Sequence, residues 1–450
     1  MIFVKVASTL NAGTKTTMSF SNPTSKLALA LATFAFAINF SVWVLYGVLA
    51  LDMQQTLNLS STELGLIFGA PMLTGALSRI PAGLLADRMS AKQLYVWQML
   101  ITAPALFLLP RFDSMQSYIW LGLWIGLSGS SFTIGIRYVT DWFNRHEQGT
   151  AMGIFGAGNS GAAITLAIAP LLVKHWGLEY IGPIYGCTLI ATALLFAWLA
   201  PGIAPSSDTT VQLEKVPARY WLGRLQVWRF GLYYFFVFGS FLALILWLPQ
   251  YYVNAYEASF ETAMALTLLY ATTSSMVRAL GGWFADKYGG RSVNWTVFWV
   301  CLICLFFLSY PPTTMTIHGI KQDVNISIEV NIWVFSILIF IIGIAQGFGR
   351  ASVYKIIHDY YPNQMGEVGG FVAAIGAMGG AILPIAFGLS VDWVGVHSAC
   401  FMLLYGVLAA CMTTMFFAVK ADHTNKRLQS AIENNFLEQE SFDVPNELHR

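Results

Sequence analysis

Charge is scarce in this sequence. Only 10% of its 450 residues are charged, while 56% are hydrophobic. An ordinary soluble domain carries about 25% charged residues. A chain so poor in charge cannot cover the surface of a water-soluble globule of this size, which excludes soluble enzymes and disordered proteins. The net charge of +1 supplies no field to draw in nucleic acid or another acidic partner. Cysteine is scarce as well. Cys187, Cys301, Cys304, Cys400 and Cys411 all lie in apolar runs. Cys301 and Cys304 form a C-x-x-C without a second ligand pair, so they read as small packing residues rather than a metal or redox site. The chain also lacks a P-loop, a Ser-His-Asp set and a metal-ligand cluster. His146, His175, His318 and His358 fall near loops or span ends. No enzyme activity, cofactor or metal is expected.

Long apolar runs are abundant. A bilayer core about 30 Å thick needs about 20 apolar residues per helix. Twelve runs qualify, near 27–51, 62–86, 94–111, 117–140, 149–173, 179–200, 229–253, 262–285, 293–311, 331–356, 367–391 and 397–419. The first is too long for a signal-peptide core and follows a polar stretch, 1–26. Basic residues orient the spans. Arg88, Lys92, Arg145, Lys215, Arg219, Arg224, Arg229, Lys287, Arg291, Lys420, Lys426 and Arg427 fall on one side, and mainly Arg111, Lys174 and Lys321 on the other. The positive-inside rule then places both termini in the cytoplasm. A polar Pro-containing linker, 201–228, separates two six-helix halves, 27–200 and 229–420. The acidic tail 421–450 is expected to be solvated, with helix near 427–438.

The halves repeat. Arg79-Ile-Pro-Ala-Gly83-Leu-Leu-Ala-Asp87-Arg88 in the second span matches Arg278-Ala-Leu-Gly-Gly282-Trp-Phe-Ala-Asp286-Lys287 in the eighth. Each of the pairs Arg79/Arg278, Gly83/Gly282 and Asp87/Asp286 is 199 positions apart. Repeated six-helix halves are a secondary-transporter signature, with the substrate site expected near the midplane between them. The segments that run from Gly83 to Lys92 and from Gly282 to Arg291 resemble the loop motif of the major facilitator superfamily. That resemblance implies an all-α integral membrane fold of twelve helices in two pseudo-symmetric halves. It also implies a latch in which Asp87 and Asp286 accept hydrogen bonds at helix N-termini. In that latch Arg88, Lys287 and Arg291 would pair across the halves.

Arg79 lies seven residues before Ala86, about 10 Å inside the expected cytoplasmic edge at 1.5 Å per residue. Arg278 has the equivalent place. An arginine inside the bilayer costs about 2.5–3.5 kcal/mol on insertion scales. No Asp or Glu stands at matching depth to offset it, since Asp52, Glu63, Asp87, Asp141, Glu147, Asp286, Asp359 and Asp392 sit at span ends. A structural ion pair is therefore a poor explanation, and an anion site a better one. A planar guanidinium donates two parallel hydrogen bonds to a flat oxyanion, which lysine cannot reproduce. Empty, the two arginines repel; bridged by one anion, they favour closure of the halves.

Two glycine-rich stretches follow, Gly153-Ile-Phe-Gly156-Ala-Gly158-Asn159-Ser-Gly161 and Gly376-Ala-Met-Gly379-Gly380-Ala-Ile-Leu-Pro384. With Gly129-Ser-Ser-Phe132 in the fourth span and Tyr233-Tyr234-Phe235-Phe236-Val237-Phe238-Gly239-Ser240 in the seventh, they resemble the nitrate/nitrite porter family. The resemblance covers most of 27–420 and implies a substrate site of Arg79, Arg278, Asn159, Tyr234, Phe132, Phe238, Gly158 and Gly379. Aromatic packing is the plainer reading of the three rings, and helix packing that of the glycines. Arg350 departs from the family, whose members more often have Asn or Ser there, and no partner for it is evident. Arg137/Asp141 and Lys355/Asp359 are i,i+4 pairs whose counterparts stand 218 positions apart. They read either as gate pairs near the cytoplasmic mouth or as local ion pairs at helix ends.

The expected function is alternating-access transport of nitrate or nitrite across a bacterial inner membrane by a monomer embedded in lipid. Nitrate/nitrite exchange and nitrate–proton symport both remain open. So does a carrier for another small anion, such as a carboxylate or phosphate ester. An anion channel or nutrient receptor is the further alternative.

Overall fold

The computed structural model describes residues 22–86, 88–143, 145–202, 220, 223–318, 323–361 and 364–442. Among them twelve helical segments follow one another: α1 Pro23–Leu57, α2 Ser61–Ala86, α3 Ala91–Arg111, α4 Met115–Thr140, α5 Thr150–Trp176, α6 Leu178–Leu199, α7 Leu225–Tyr256, α8 Phe260–Tyr288, α9 Gly290–Leu308, α10 Ile332–Tyr360, α11 Met365–Val394 and α12 Ala399–Phe442. Eleven are long and apolar enough to cross a membrane. The exception is α8, which has 29 residues but carries Thr267, Thr272, Thr273, Ser274, Ser275 and Arg278. Its polarity matches its position, because it packs between α10 of its own half and α5 of the other.

Local chemistry sets the ends. Asn22 accepts from the Thr24 N–H at 2.9 Å, with Pro23 at the first helical position of α1. Ser60 and Glu63 form a reciprocal capping box on α2. Asn331 caps α10 by accepting from the Trp333 N–H at 2.9 Å. Helix α11 ends on Gly395 at φ 75°, a left-handed position that favours glycine.

Successive helices alternate in direction through short loops. One end of the bundle, here the linker end, carries the start of α1, the end of α6 and the start of α7. The opposite end carries an antiparallel hairpin between α9 and α10, formed by β1 (Thr313–His318) and β2 (Asp323–Ile328), with Met315 opposite Ile326. This hairpin end was not anticipated from sequence, where the segment read only as a loop. The helix expected near 427–438 is present as part of α12, which runs without a break from the last span to Phe442. Asp87, most of 1–26, most of the linker 201–228 and residues 443–450 lie outside the described residues.

The halves α1–α6 and α7–α12 meet along α2/α11, α5/α8 and α1/α7. The contact is uneven. Helix α11 packs along Ser61–Leu77 of α2 far more than along Arg79–Ala86, and α8 packs along Gly161–Trp176 of α5 more than along the helical turns Arg145–Gly156, which lead into and open α5. At the hairpin end Asp392 of α11 accepts from the Ser61 N–H at 3.2 Å and the Thr62 N–H at 2.8 Å. It also accepts from Thr62 Oγ1 at 2.6 Å. Asn254 donates to Gln54 at 3.3 Å, and Lys174 pairs with Glu261 at 2.8 Å. At the linker end the pairs Arg137–Asp141, Lys355–Asp286 and Lys355–Asp359 each stay within one half. The bundle is therefore clamped shut at its hairpin end.

Candidate anion site

Three helices lose regular α geometry at one level of the bundle. Helix α4 tightens to 3₁₀ over Gly126–Ser130, and α5 does so over Ala157–Ser160. Helix α7 widens to a π turn over Phe235–Gly239. Such departures expose backbone groups and recur at functional sites. Here they coincide with the glycine-rich stretches and with the aromatic run of α7.

Arg79 follows a one-residue interruption of α2 at Ser78 and is 4% exposed. Its Nε donates to the Gly129 carbonyl of α4 at 3.3 Å, and its Nη1 to the Ala373 carbonyl of α11 at 3.1 Å. The guanidinium carbon lies 5.4 Å from the Trp43 ring, 5.3 Å from Phe132 and 5.8 Å from Phe238. Phe132 and Phe238 belong to different halves, so Arg79 is gripped from both. Trp43 was missed in the sequence. It reaches Arg79 because Gly75 and Gly129 leave its ring room: a Cβ on Gly129 would stand 2.6 Å from the Gly75 Cα and 2.8 Å from the Trp43 ring. Its indole N–H donates to the Pro71 carbonyl at 2.8 Å.

Arg278 of α8 faces Gly156 of α5. A Cβ on Gly156 would meet the Arg278 guanidinium carbon and Nη1 at 3.3 Å. Arg278 Nη1 is buried without a protein hydrogen-bond partner, as is the amide Nδ2 of Asn159, three residues beyond Gly156. A buried unmade donor costs about 1–3 kcal/mol, more when charged. Two such donors on facing helices make a place where an acceptor binds well. Gly158 is needed for packing, because a Cβ there would collide with the Phe36 ring.

Tyr234 and Phe238 stack on one another, with centroids 5.1 Å apart and planes at 25°. The Phe238 ring also lies 5.8 Å from the Arg79 guanidinium carbon. Tyr234 also meets Tyr354 of α10 edge-on at 5.2 Å. Tyr354 was not anticipated, although its place one turn beyond Arg350 could have marked it. Gly379 lets α7 and α11 touch backbone to backbone, since its Cβ would stand 2.8 Å from the Gly239 Cα.

Arg350 does have partners, contrary to expectation. Its Nη2 donates to Ser274 Oγ at 2.8 Å and also to the Ser274 carbonyl. Its Nε donates to the Gln346 carbonyl at 3.4 Å, and its guanidinium carbon stacks 4.0 Å above Phe241. None of these partners is a carboxylate.

The motif residues gather at the linker end. Lys355 bridges Asp286 and Asp359 at 3.3 Å each, so one lysine joins the loop-motif aspartate to the i,i+4 pair. Arg137 pairs with Asp141. Arg291 lies 5.1 Å from the Tyr360 ring, and Lys287 lies 5.0 Å from Trp283. All these contacts are within one half. Arg88 lies in the turn after α2 and is exposed. Gly83 and Gly282 face open space: a Cβ on Gly282 would meet nothing within 4 Å, and one on Gly83 only Thr133 at 3.5 Å.

Two six-helix halves closed around buried guanidinium groups define a multi-pass helical membrane protein of the carrier type. The Major Facilitator Superfamily model matches residues 29–320 and 324–444. The "Probable nitrate/nitrite antiporter NarK1" of Thermus thermophilus is 32% identical over 408 residues, covering 87% of this chain and 91% of that one. The "Nitrite extrusion protein" of Bacillus subtilis (strain 168) is 26% identical, covering 90% and 98%. A "Probable nitrate transporter NarT" from Staphylococcus epidermidis is 25% identical, covering 89% and 96%. The chain belongs to the Major Facilitator Superfamily and, within it, to the nitrate/nitrite porter family. Its fold is similar to that of a bacterial homolog of the human lysosomal transporter Spinster, with a TM-score of 0.62 at 15% identity, covering 88% of this chain and 94% of that one.

Proposed function

We propose that this protein is a transporter, not an enzyme, that carries nitrate and nitrite by alternating access. One observation carries the reading. Arg278 Nη1 and Asn159 Nδ2 are buried without partners, and the matching arginine of the other half, Arg79, is buried with only carbonyls and rings as partners. A small flat monovalent anion satisfies those donors and adds the missing charge. A bulkier phosphate ester would have to displace the packed Phe132, Tyr234 and Phe238 rings.

The two halves, 27–200 and 229–420, rock about this site. The excess of Lys and Arg in the linker-end loops supports cytoplasmic termini in a bacterial inner membrane. With that orientation, the clamp at Asp392 closes the outer face, and the conformation is the one that loads from and releases to the cytoplasm. The ion pairs of Lys355, Asp286 and Asp359, and of Arg137 and Asp141, would then regroup when the linker end closes. Both halves of one chain contribute residues to the proposed site, which supports a monomer.

Coupling follows from the same chemistry. The described partners of Arg79 and Arg350 include no carboxylate or histidine to carry a proton, which supports nitrate/nitrite exchange over symport. Proteoliposomes loaded with or without nitrite, with and without an imposed pH gradient, test this with labelled external nitrate. Uptake that needs internal nitrite and ignores the gradient is expected. Uptake driven by the gradient alone overturns exchange, and no uptake under any condition overturns the substrate assignment.

A further inference from the structure

Arg350 is a third arginine in the helix bundle, and the two-arginine site has no use for it. It is 0% exposed, the deepest charged side chain among the described residues. Two of its nitrogens are engaged: Nε to the Gln346 carbonyl, and Nη2 to both oxygens of Ser274. Its Nη1 is buried with no protein partner. The face of the guanidinium is covered by Phe241 at 4.0 Å, so the free N–H points out along its edge.

The surroundings are polar and organised. Tyr270 donates to Gln346 Oε1 at 2.5 Å, and Gln346 Nε2 donates to Ser240 Oγ at 2.7 Å. This chain fixes Gln346, whose carbonyl in turn fixes Arg350. Ser274, which holds Arg350, is one turn of α8 before Arg278 and so about 6 Å nearer the hairpin end. Arg350 of α10 is thus anchored on α8 one turn before Arg278, and each of the two arginines keeps a buried Nη1 without a protein partner. A single monovalent anion at Arg79 and Arg278 leaves the third positive charge uncompensated, and buried charges are normally paired.

We propose that Arg350, aligned by Ser274, Gln346 and Phe241, forms a second anion subsite for a small planar oxyanion, stacked on the hairpin-end side of the central one. An anion arriving from the hairpin end meets this subsite first, waits there while another occupies the centre at Arg79 and Arg278, and moves about one turn inward when that one leaves. The assignment rests on the anion-carrier reading above.

Equilibrium binding of isotopically labelled nitrate to the purified protein tests it, alongside nitrate counterflow in proteoliposomes. The wild type should bind about two nitrate ions per chain, and Arg350→Asn about one, with central binding retained. One nitrate per chain in the wild type, or an unchanged stoichiometry in Arg350→Asn, overturns the second subsite. If Arg350→Asn is not recovered in membranes, the wild-type stoichiometry decides alone. Counterflow separates the two readings: a wild type that exchanges nitrate but binds one ion loses only the subsite, whereas one that neither binds nor exchanges nitrate loses both.

Discussion

Arg79 of α2 donates from Nη1 to the Ala373 carbonyl of α11 at 3.1 Å, and thereby ties one half of the bundle to the other. Its Nε holds Gly129 of its own half at 3.3 Å. In the proposed anion site, this one side chain would link substrate binding to the relative position of the halves. Any acceptor that draws the guanidinium toward Arg278 competes with the Ala373 carbonyl.

Arg79→Lys should remove this link while keeping the charge. Lysine has no planar fork to engage both carbonyls, and it loses the stacking on Trp43, Phe132 and Phe238. Hydrogen bonds from charged groups are worth about 1.5–3 kcal/mol each. Nitrate exchange in proteoliposomes should fall at least about tenfold, with normal amounts of protein in the membrane. Near-normal exchange would remove Arg79 from the site.

Asn159 separates binding from stability. Its Nδ2 is buried and unpaired, so Asn159→Leu should hold or raise thermal stability in detergent, by about 1 kcal/mol, while exchange drops. Asn159→Asp should bind nitrate still more weakly, because it places an anion where the substrate's charge belongs. Equal loss of stability in both variants would indicate a packing role instead.

Asp392 should set the balance between conformations. It accepts three hydrogen bonds from Ser61 and Thr62 across the halves. The group is exposed, so solvent screening limits the clamp to about 1 kcal/mol, a roughly fivefold shift in population. In a Cys187→Ser background, spin labels at Leu59 and Ala258 should report a larger share of long distances in Asp392→Ala. An unchanged distance distribution would mean that helix packing alone closes this end.

The glycines should divide into two groups. Gly379→Val drives a side chain against the Gly239 Cα, 2.8 Å from its Cβ, and overpacking of this kind costs about 1–3 kcal/mol. Gly282→Ala meets nothing within 4 Å and gains helix propensity, so thermal stability should hold or rise. Loss of exchange in stable Gly282→Ala would show that the position is crowded only when the linker end closes. Full exchange would show that the motif glycine has no packing role in either state.

The class of protein was legible in composition and pattern. The charge deficit, the apolar runs and the Arg-x-x-x-Gly-x-x-Ala-Asp repeat are properties of residues in order, and they require a membrane, a helix count and two related halves. The two central arginines were legible for the same reason: a charge inside an apolar run costs too much to be incidental. Helix α8 shows the margin of that logic, since Thr267, Ser274 and Ser275 are buried against other helices and, with Thr272, Thr273 and Arg278, lower its apolarity.

Partners were not legible. Trp43, Tyr354 and Gln346 read as ordinary span residues, and Arg350 as a lone departure, because what each touches comes from a helix distant in sequence. Ser274 and Arg350 are 76 positions apart, and Arg79 and Ala373 are 294 apart. Sequence by itself determined where charge and glycine are permitted along each helix, since helix geometry and bilayer thickness act on consecutive residues. Only the tertiary structure decided which donors remain unsatisfied and which end is closed. Those depend on how twelve helices pack around one another, and on which backbone carbonyls that packing brings within reach of each guanidinium.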